Sequence, residues 1–166
     1  MRYYELKQDR TLRNLIEIEG FEGCPNIVMD RERAGTFRRC AHLFVHGDEK
    51  SQYPDFFQAP VLMISEKLYE VIRYYDTSVI YNLVVLADIK RRRQDVYRLM
   101  MPEIIEADSE GTVPEVPIHH RIFYIKQGIE HHLIVAEDVL ESMLARASVG
   151  ITYEETDLRK WGKSGV

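Results

Sequence analysis

Two stretches of the chain repeat one local grammar. Val61-Leu62-Met63-Ile64-Ser65-Glu66-Lys67-Leu68 is answered by His132-Leu133-Ile134-Val135-Ala136-Glu137-Asp138-Val139, and Ile72 by Met143 further on. In each, an apolar run of strand character meets a small residue, then a Glu, then apolar residues at helical spacing. A strand that passes straight into a helix needs a short cap, and it favours a negative charge at the positive end of the helix dipole. Duplication and convergence on the same physics would both leave this pattern. Either way it predicts two strand-helix-strand elements and an α+β fold: a largely antiparallel sheet with two or three helices packed on it. Ser65 supplies a capping hydroxyl to the first helix. Ala136 lacks one, so the second helix is expected to start with a weaker cap.

The remaining elements follow from periodicity and turn chemistry. Leu68, Val71, Ile72 and Tyr75 predict a helix that Asp76-Thr77-Ser78 ends. Residues 138–146 predict a second, with Val139, Leu140, Met143 and Leu144 inward. Residues 79–89 and 94–101 read as an antiparallel hairpin across the basic turn Lys90-Arg91-Arg92-Arg93. Residues 120–126 and 130–135 read as another about Gln127-Gly128. That turn would set His131 opposite Tyr124 and His132 opposite Phe123. Shorter strands are expected at 1–6, 12–19, 37–45 and 150–153, with a turn at Gly23-Cys24-Pro25-Asn26. Pro102, Pro114 and Pro117 argue against regular structure in the acidic loop between the two hairpins. The expected organisation is one domain over 1–155 and a tail over 156–166 that is loose unless Trp161 docks.

A length of 166 residues suits a single domain that buries about 70% of its unfolded surface. With 45% hydrophobic and 30% charged residues, disorder is excluded as the main state. No uncharged run approaches the ~20 apolar residues of a membrane span; the longest candidate is 77–87. The segment Met1-Arg2-Tyr3-Tyr4-Glu5-Leu6-Lys7 has no apolar core of a signal peptide, so a cytoplasmic protein with reduced thiols is expected.

Charge narrows the partner. There are 22 Lys and Arg against 27 Asp and Glu, a net charge of −5. Nucleic-acid binders gain most of their affinity by neutralising phosphates, so nucleic acid is not the expected partner. Two basic clusters stand out locally: Arg31, Arg33, Arg38 and Arg39, and the 90–93 turn. The turn reads as a solvated hairpin, with binding of phosphate or an acidic partner as the alternative. Between Arg98 and Arg121 there is no Lys or Arg, while Glu103, Glu106, Asp108, Glu110 and Glu115 fall there. Such a segment can steer a basic partner by long-range attraction; it can also simply solvate the surface.

Motifs for chemistry are sparse. His119-His120 and His131-His132 suggest a metal. Neighbours on a strand point to opposite faces, however, and the expected hairpin leaves His120 about 10 Å from His132, too far for zinc ligands at ~2 Å. Cys24 and Cys40 lack a CxxC and partners at ligand spacing, and read as buried inert thiols. There is no GxSxG, HExxH, Walker loop or GxGxxG. No metal or cofactor is expected. Ten tyrosines, with adjacent pairs at Tyr3-Tyr4 and Tyr74-Tyr75, leave at least one of each pair to face out or cap the core edge, where tyrosine suits a protein interface.

Tyr53-Pro54-Asp55-Phe56, then Ala59-Pro60-Val61-Leu62-Met63-Ile64-Ser65-Glu66-Lys67-Leu68, resembles the middle of the Imm11-type immunity proteins of bacterial polymorphic toxin systems. So do Val84-Val85-Leu86-Ala87-Asp88 with Tyr97-Arg98-Leu99, and Leu133-Ile134-Val135-Ala136-Glu137-Asp138-Val139 followed by Gly150-Ile151-Thr152-Tyr153. The resemblance covers about residues 50–155. It implies a non-enzymatic protein that binds a cognate toxin domain in the producing cell and blocks its active site or substrate groove. It carries no catalytic residues.

Two further readings stay open. An enzyme site would lie around His42, His46 and Asp48, near Arg38 and Arg39, because histidine titrates near neutral pH. A structural or oligomeric subunit would show a large exposed apolar patch. For the toxin-binding reading, charge selects Glu103, Glu106, Asp108, Glu110 and Glu115 as the partner-binding patch, facing a basic domain.

Overall fold

In the computed structural model, residues 1–20, 31, 40–146 and 148–161 are described. The chain begins with β1 (Tyr3–Gln8), β2 (Glu17–Ile18), β3 (Cys40–His46), β4 (Phe56–Phe57) and β5 (Met63–Ser65), which runs into α1 (Glu66–Ile72). The hairpin β6 (Ile80–Asp88) and β7 (Arg93–Met101) follows, then β8 (Glu103–Glu106). A second hairpin, β9 (Ile122–Gln127) and β10 (Glu130–Ala136), leads into α2 (Glu137–Leu144), and β11 (Ile151–Thr156) precedes a 3-10 turn at Leu158–Lys160.

These elements make an α+β fold with two sheets, where the sequence pattern alone suggested one. The five-stranded sheet has the order β11-β1-β10-β9-β8, and the six-stranded sheet β2-β3-β6-β7-β5-β4. Pairing is antiparallel except between β3 and β6 and between β8 and β9. The split has a topological cause. The two strand-helix junctions lie in different sheets, β5 in one and β10 in the other, so each helix brings its own sheet to a shared core.

The two junctions have the same geometry. Ser65 (φ −64°, ψ 156°) and Ala136 (φ −73°, ψ 155°) are both extended caps followed at once by a Glu. Ser65 Oγ accepts from the Leu68 amide at 3.4 Å and donates to Asp55 Oδ1 at 2.7 Å. Ala136 makes no side-chain cap bond, as its missing hydroxyl implies. Both first-turn glutamates are held by arginines, Glu66 by Arg98 and Glu137 by Arg2. Leu68 and Ile72 of α1 and Val139, Leu140 and Met143 of α2 meet Leu6, Leu133 and Val135 of one sheet and Ile64 and Met100 of the other in a central core. Each such side chain contributes roughly 1.5–3 kcal/mol by leaving water. The Tyr75 and Ser142 hydroxyls, 2.5 Å apart, tie the helices together.

Each sheet also buries its outer face. Val84, Leu86, Tyr97, Leu99 and Met101 pack under Ile16, Ile18 and Phe57. Phe123, Ile125 and Ile134 are covered by Val113, Val116, Leu158 and Trp161. Trp161 therefore has a seat: its Nε1–H donates to Gln127 Oε1 at 3.2 Å, and its ring lies 5.0 Å edge-on to His132.

Several expectations change. The segment after Pro102 is not wholly irregular: β-branched Ile104 and Ile105 let Glu103–Glu106 pair with β9, because the proline sits just before the first pairing residue. The β9–β10 turn centres on Gly128-Ile129, so His131 faces Lys126 and His132 faces Ile125. Gly128 takes φ +60°, which fixes the turn at that point. Leu144 is 39% exposed rather than inward, at the helix end beyond the packed turn. Of the strand expected at 12–19 only Glu17–Ile18 pairs, after a bridge from Leu15 to Gln52. The tyrosine pairs are as expected: Tyr74 faces out, and Tyr3 and Tyr4 pack half-buried at the core edge. The turn at Gly23-Cys24-Pro25-Asn26, residues 37–39 of the expected third strand, and Arg33, Arg38 and Arg39 lie outside the described residues.

Candidate partner-binding site

The five acidic residues chosen from charge have different surroundings. Glu103, at the start of β8, is turned to the protein. Its carboxylate meets Arg31 Nη1 at 3.2 Å and His120 Nε2 at 2.9 Å. Glu106 pairs with Lys126 at 2.8 Å across the β8–β9 edge, and that hydrogen bond holds its carboxyl below the usual range. Asp108 folds its own loop: Oδ1 accepts from the Thr112 amide at 2.7 Å and the Glu110 amide at 2.9 Å, which also lowers its pKa. Asp108, Glu110 and Glu115 are exposed with no ion-pair partner among the described residues, and of these only Glu110 and Glu115 have carboxylates that accept no hydrogen bond there either.

Glu115 lies at a concavity. The segment 113–116 is anchored by Val113 and Val116 on the outer face of the five-stranded sheet, beside the Leu158 turn. Between this segment, the start of β1 and the end of β11 runs an open groove of about 850 Å³. Val113, Pro114 and Leu158 give it an apolar floor, and Glu115, Glu155 and Asp157 line it with Arg2 and Arg159. The two arginines are engaged, Arg2 with Glu137 and Arg159 with Asp157 at 3.2 Å. Glu115 and Glu155 are left as the unpaired side-chain charges of the groove among the described residues.

The histidine region is dispersed. His42 and His46 are exposed on the same face of β3, four residues and therefore ~13 Å apart. His46 Nε2 contacts Glu19 at 2.6 Å. Asp48 organises its own loop, accepting from Asn14 Nδ2 at 3.2 Å and the Lys50 amide at 2.7 Å, which lowers its pKa. Among the described residues, no three His, Cys, Asp or Glu side chains are placed to hold a metal ion. The basic turn is half committed. Arg91 folds back onto Asp88 and the Gly47 carbonyl, and Arg93 stacks 3.6 Å over the Tyr53 ring, while Lys90 and Arg92 stay exposed.

Sequence reasoning missed the buried network behind Glu103. Asp76, 1% exposed, accepts through Oδ2 from the Arg121 and Ile122 amides and through Oδ1 from the Ser78 amide and hydroxyl. His120 Nδ1 lies 3.2 Å from Ser78 Oγ. Asp76, Ser78, His120, Glu103 and Arg31 thus join the exit of α1, the start of β8 and the entry to β9. The Asp-Thr-Ser order at the helix end carried half of this signal, since such a triplet closes a side-chain turn. The partners from position 120 onward had no local signature.

No protein-family model matches the chain, and no curated protein matches it significantly. Among the described residues, no helix is long and apolar enough to cross a membrane.

Proposed function

We propose that this chain is an immunity protein: a cytoplasmic binding module that captures a cognate bacterial toxin domain and blocks its active site or substrate groove. It has no catalysis of its own and uses no cofactor. The observation that carries the reading is the groove of about 850 Å³, which joins an apolar floor to the unpaired carboxylates of Glu115 and Glu155. With Arg2 and Arg159 each held by a carboxylate, Glu115 and Glu155 are the charges left to attract a basic protein partner, because complementary potentials speed encounter and fix orientation. The resemblance of residues 50–155 to Imm11-type immunity proteins supports the same reading. The groove moves the proposed contact from the whole acidic segment to Glu115 and the neighbouring end of β11.

The test is co-expression with the product of a toxin gene encoded immediately upstream. A 1:1 complex that restores growth supports the proposal. Neither complex nor protection overturns it and turns attention to His42 and His46.

A further inference from the structure

We propose that the outer edge of β11 is a docking strand: an extended, Lys/Arg-rich segment of a partner protein pairs with it as a sixth strand of the five-stranded sheet. The inference rests on the toxin-capture reading and names the way the partner is held.

The sheets have four edges among the described residues. β2 and β4 are two residues long and β8 four, too short to template a stranger. β11 is six residues long and pairs with β1 in an unbroken register from Tyr3↔Thr156 to Gln8↔Ile151. It carries no proline, no bulge and no lysine; its guard is the charge of Glu154 and Glu155, which a cationic strand would neutralise. Alternate N–H and C=O groups along its outer side therefore face solvent with the spacing of an acceptor strand.

The side chains select the partner. Thr152, Tyr153, Glu154 and Glu155 are all exposed, so both faces of the edge are open. Tyr153 packs edge-on against Tyr4, with ring centroids 6.0 Å apart, and offers a fixed aromatic surface. Glu154 makes only a loose contact with Lys7 at 3.8 Å. Glu155 has no ion-pair partner among the described residues, since Arg2, which feels its charge, is bonded to Glu137. A second copy of β11 laid antiparallel on the first would bring these carboxylates together, which disfavours self-pairing. A cationic strand meets the opposite situation. Its end would run on into the groove, which Glu115 and Glu155 both line. Backbone pairing would supply affinity and the two glutamates specificity, the pattern of strand addition at a sheet edge.

The probe is a blocked, fluorescein-labelled peptide, Lys-Val-Arg-Val-Lys-Val-Arg, titrated against the whole chain by anisotropy, with hydrogen exchange read at residues 151–156. Saturable binding is expected, with slowed exchange in β11. N-methylation of alternate peptide amides should weaken binding at least about tenfold, because several backbone hydrogen bonds are lost. The pair E154K and E155K, both exposed and harmless to folding, should weaken it by about tenfold as well. Equal binding of the N-methylated peptide, unchanged β11 exchange, or no binding by the folded chain overturns the docking strand. These readouts need no toxin. If a co-expressed toxin is neutralised while β11 exchange in the complex is unchanged, the edge fails and the immunity reading stands. If no toxin is neutralised, the peptide still decides the edge.

Discussion

Glu5 Oε1 on β1 lies 2.8 Å from His132 Nδ1 on β10, an ion pair inside the five-stranded sheet with both side chains largely buried. The Glu5 carboxylate can only accept, so Nδ1 carries the proton and donates. The Glu5 hydrogen bond and charge raise the His132 pKa above 6.5, against the opposing effect of burial. Burial pushes Glu5 up, but the His132 bond and charge outweigh it and leave Glu5 below 4.5. Lys7 at 3.5 Å from Glu5 and Glu130 at 3.5 Å from His132 Nε2 complete the charged surroundings.

Stability should follow this pair with pH. The histidine's contribution is fully present below 6.5 and fades as pH rises through its higher folded value. The glutamate's is present above 4.5 and fades as pH falls through its lower folded value. Glu5→Gln should therefore cost most near pH 5.5, about 1–2 kcal/mol, and clearly less at about pH 8.5. Urea unfolding at the two pH values measures this, and an equal loss at both would show that the pair does not act through charge.

The Ser65 cap predicts a second effect. Ser65→Ala removes the acceptor of the Leu68 amide and the hydroxyl that Asp55 Oδ1 receives. Asp55 is only 9% exposed and also accepts from the Val149 amide at 2.8 Å, so the loss reaches the entrance of β11. A cost of about 1–2 kcal/mol is expected in denaturant unfolding. A change within a few tenths would mean that the cap is replaced by water.

What could be read in advance was local. The Ser65-Glu66 and Ala136-Glu137 junctions, the basic-turn hairpin and the apolar stripes of both helices depend on neighbours in sequence, and each formed except for Leu144 at the end of α2. The two-sheet division did not show, because it depends on which distant strands pair: β3 with β6, and β8 with β9. The different surroundings of the five acidic residues were hidden for the same reason. Charge counting cannot see that Arg31 and His120 reach Glu103, or that Lys126 reaches Glu106. Glu155 was overlooked because it lies forty residues from Glu115 in sequence and joins it only through the groove.

Gly150 is a third point of test. Its φ of +98° is one that L side chains rarely adopt, and an added Cβ would lie 2.7 Å from the Pro54 Cβ. Gly150→Ala should destabilise the fold by about 1–3 kcal/mol. The damage should centre on the Asp9–Gly150 and Asp55–Val149 backbone bonds that enter β11. Thermal unfolding checks the size and hydrogen exchange the place. A neutral result would require the proline loop to move aside without loss.

The acidic residues should separate into two classes when changed singly. Glu103→Gln breaks the contacts to Arg31 and His120 above the buried Asp76 network, so it should lower stability by about 1–2 kcal/mol. Glu115→Lys and Glu155→Lys touch no internal partner among the described residues and should leave unfolding within about 0.5 kcal/mol of wild type. Their effect should fall on the association rate with a basic partner, which should drop severalfold at low salt and converge with wild type as salt screens the charges. Glu106→Gln, which releases Lys126 at an exposed edge, should change neither property much. Stopped-flow association at two ionic strengths beside urea unfolding gives both readouts for each variant. If Glu115→Lys and Glu155→Lys associate at the wild-type rate while Glu103→Gln does not, the partner meets the β8 edge instead of the groove.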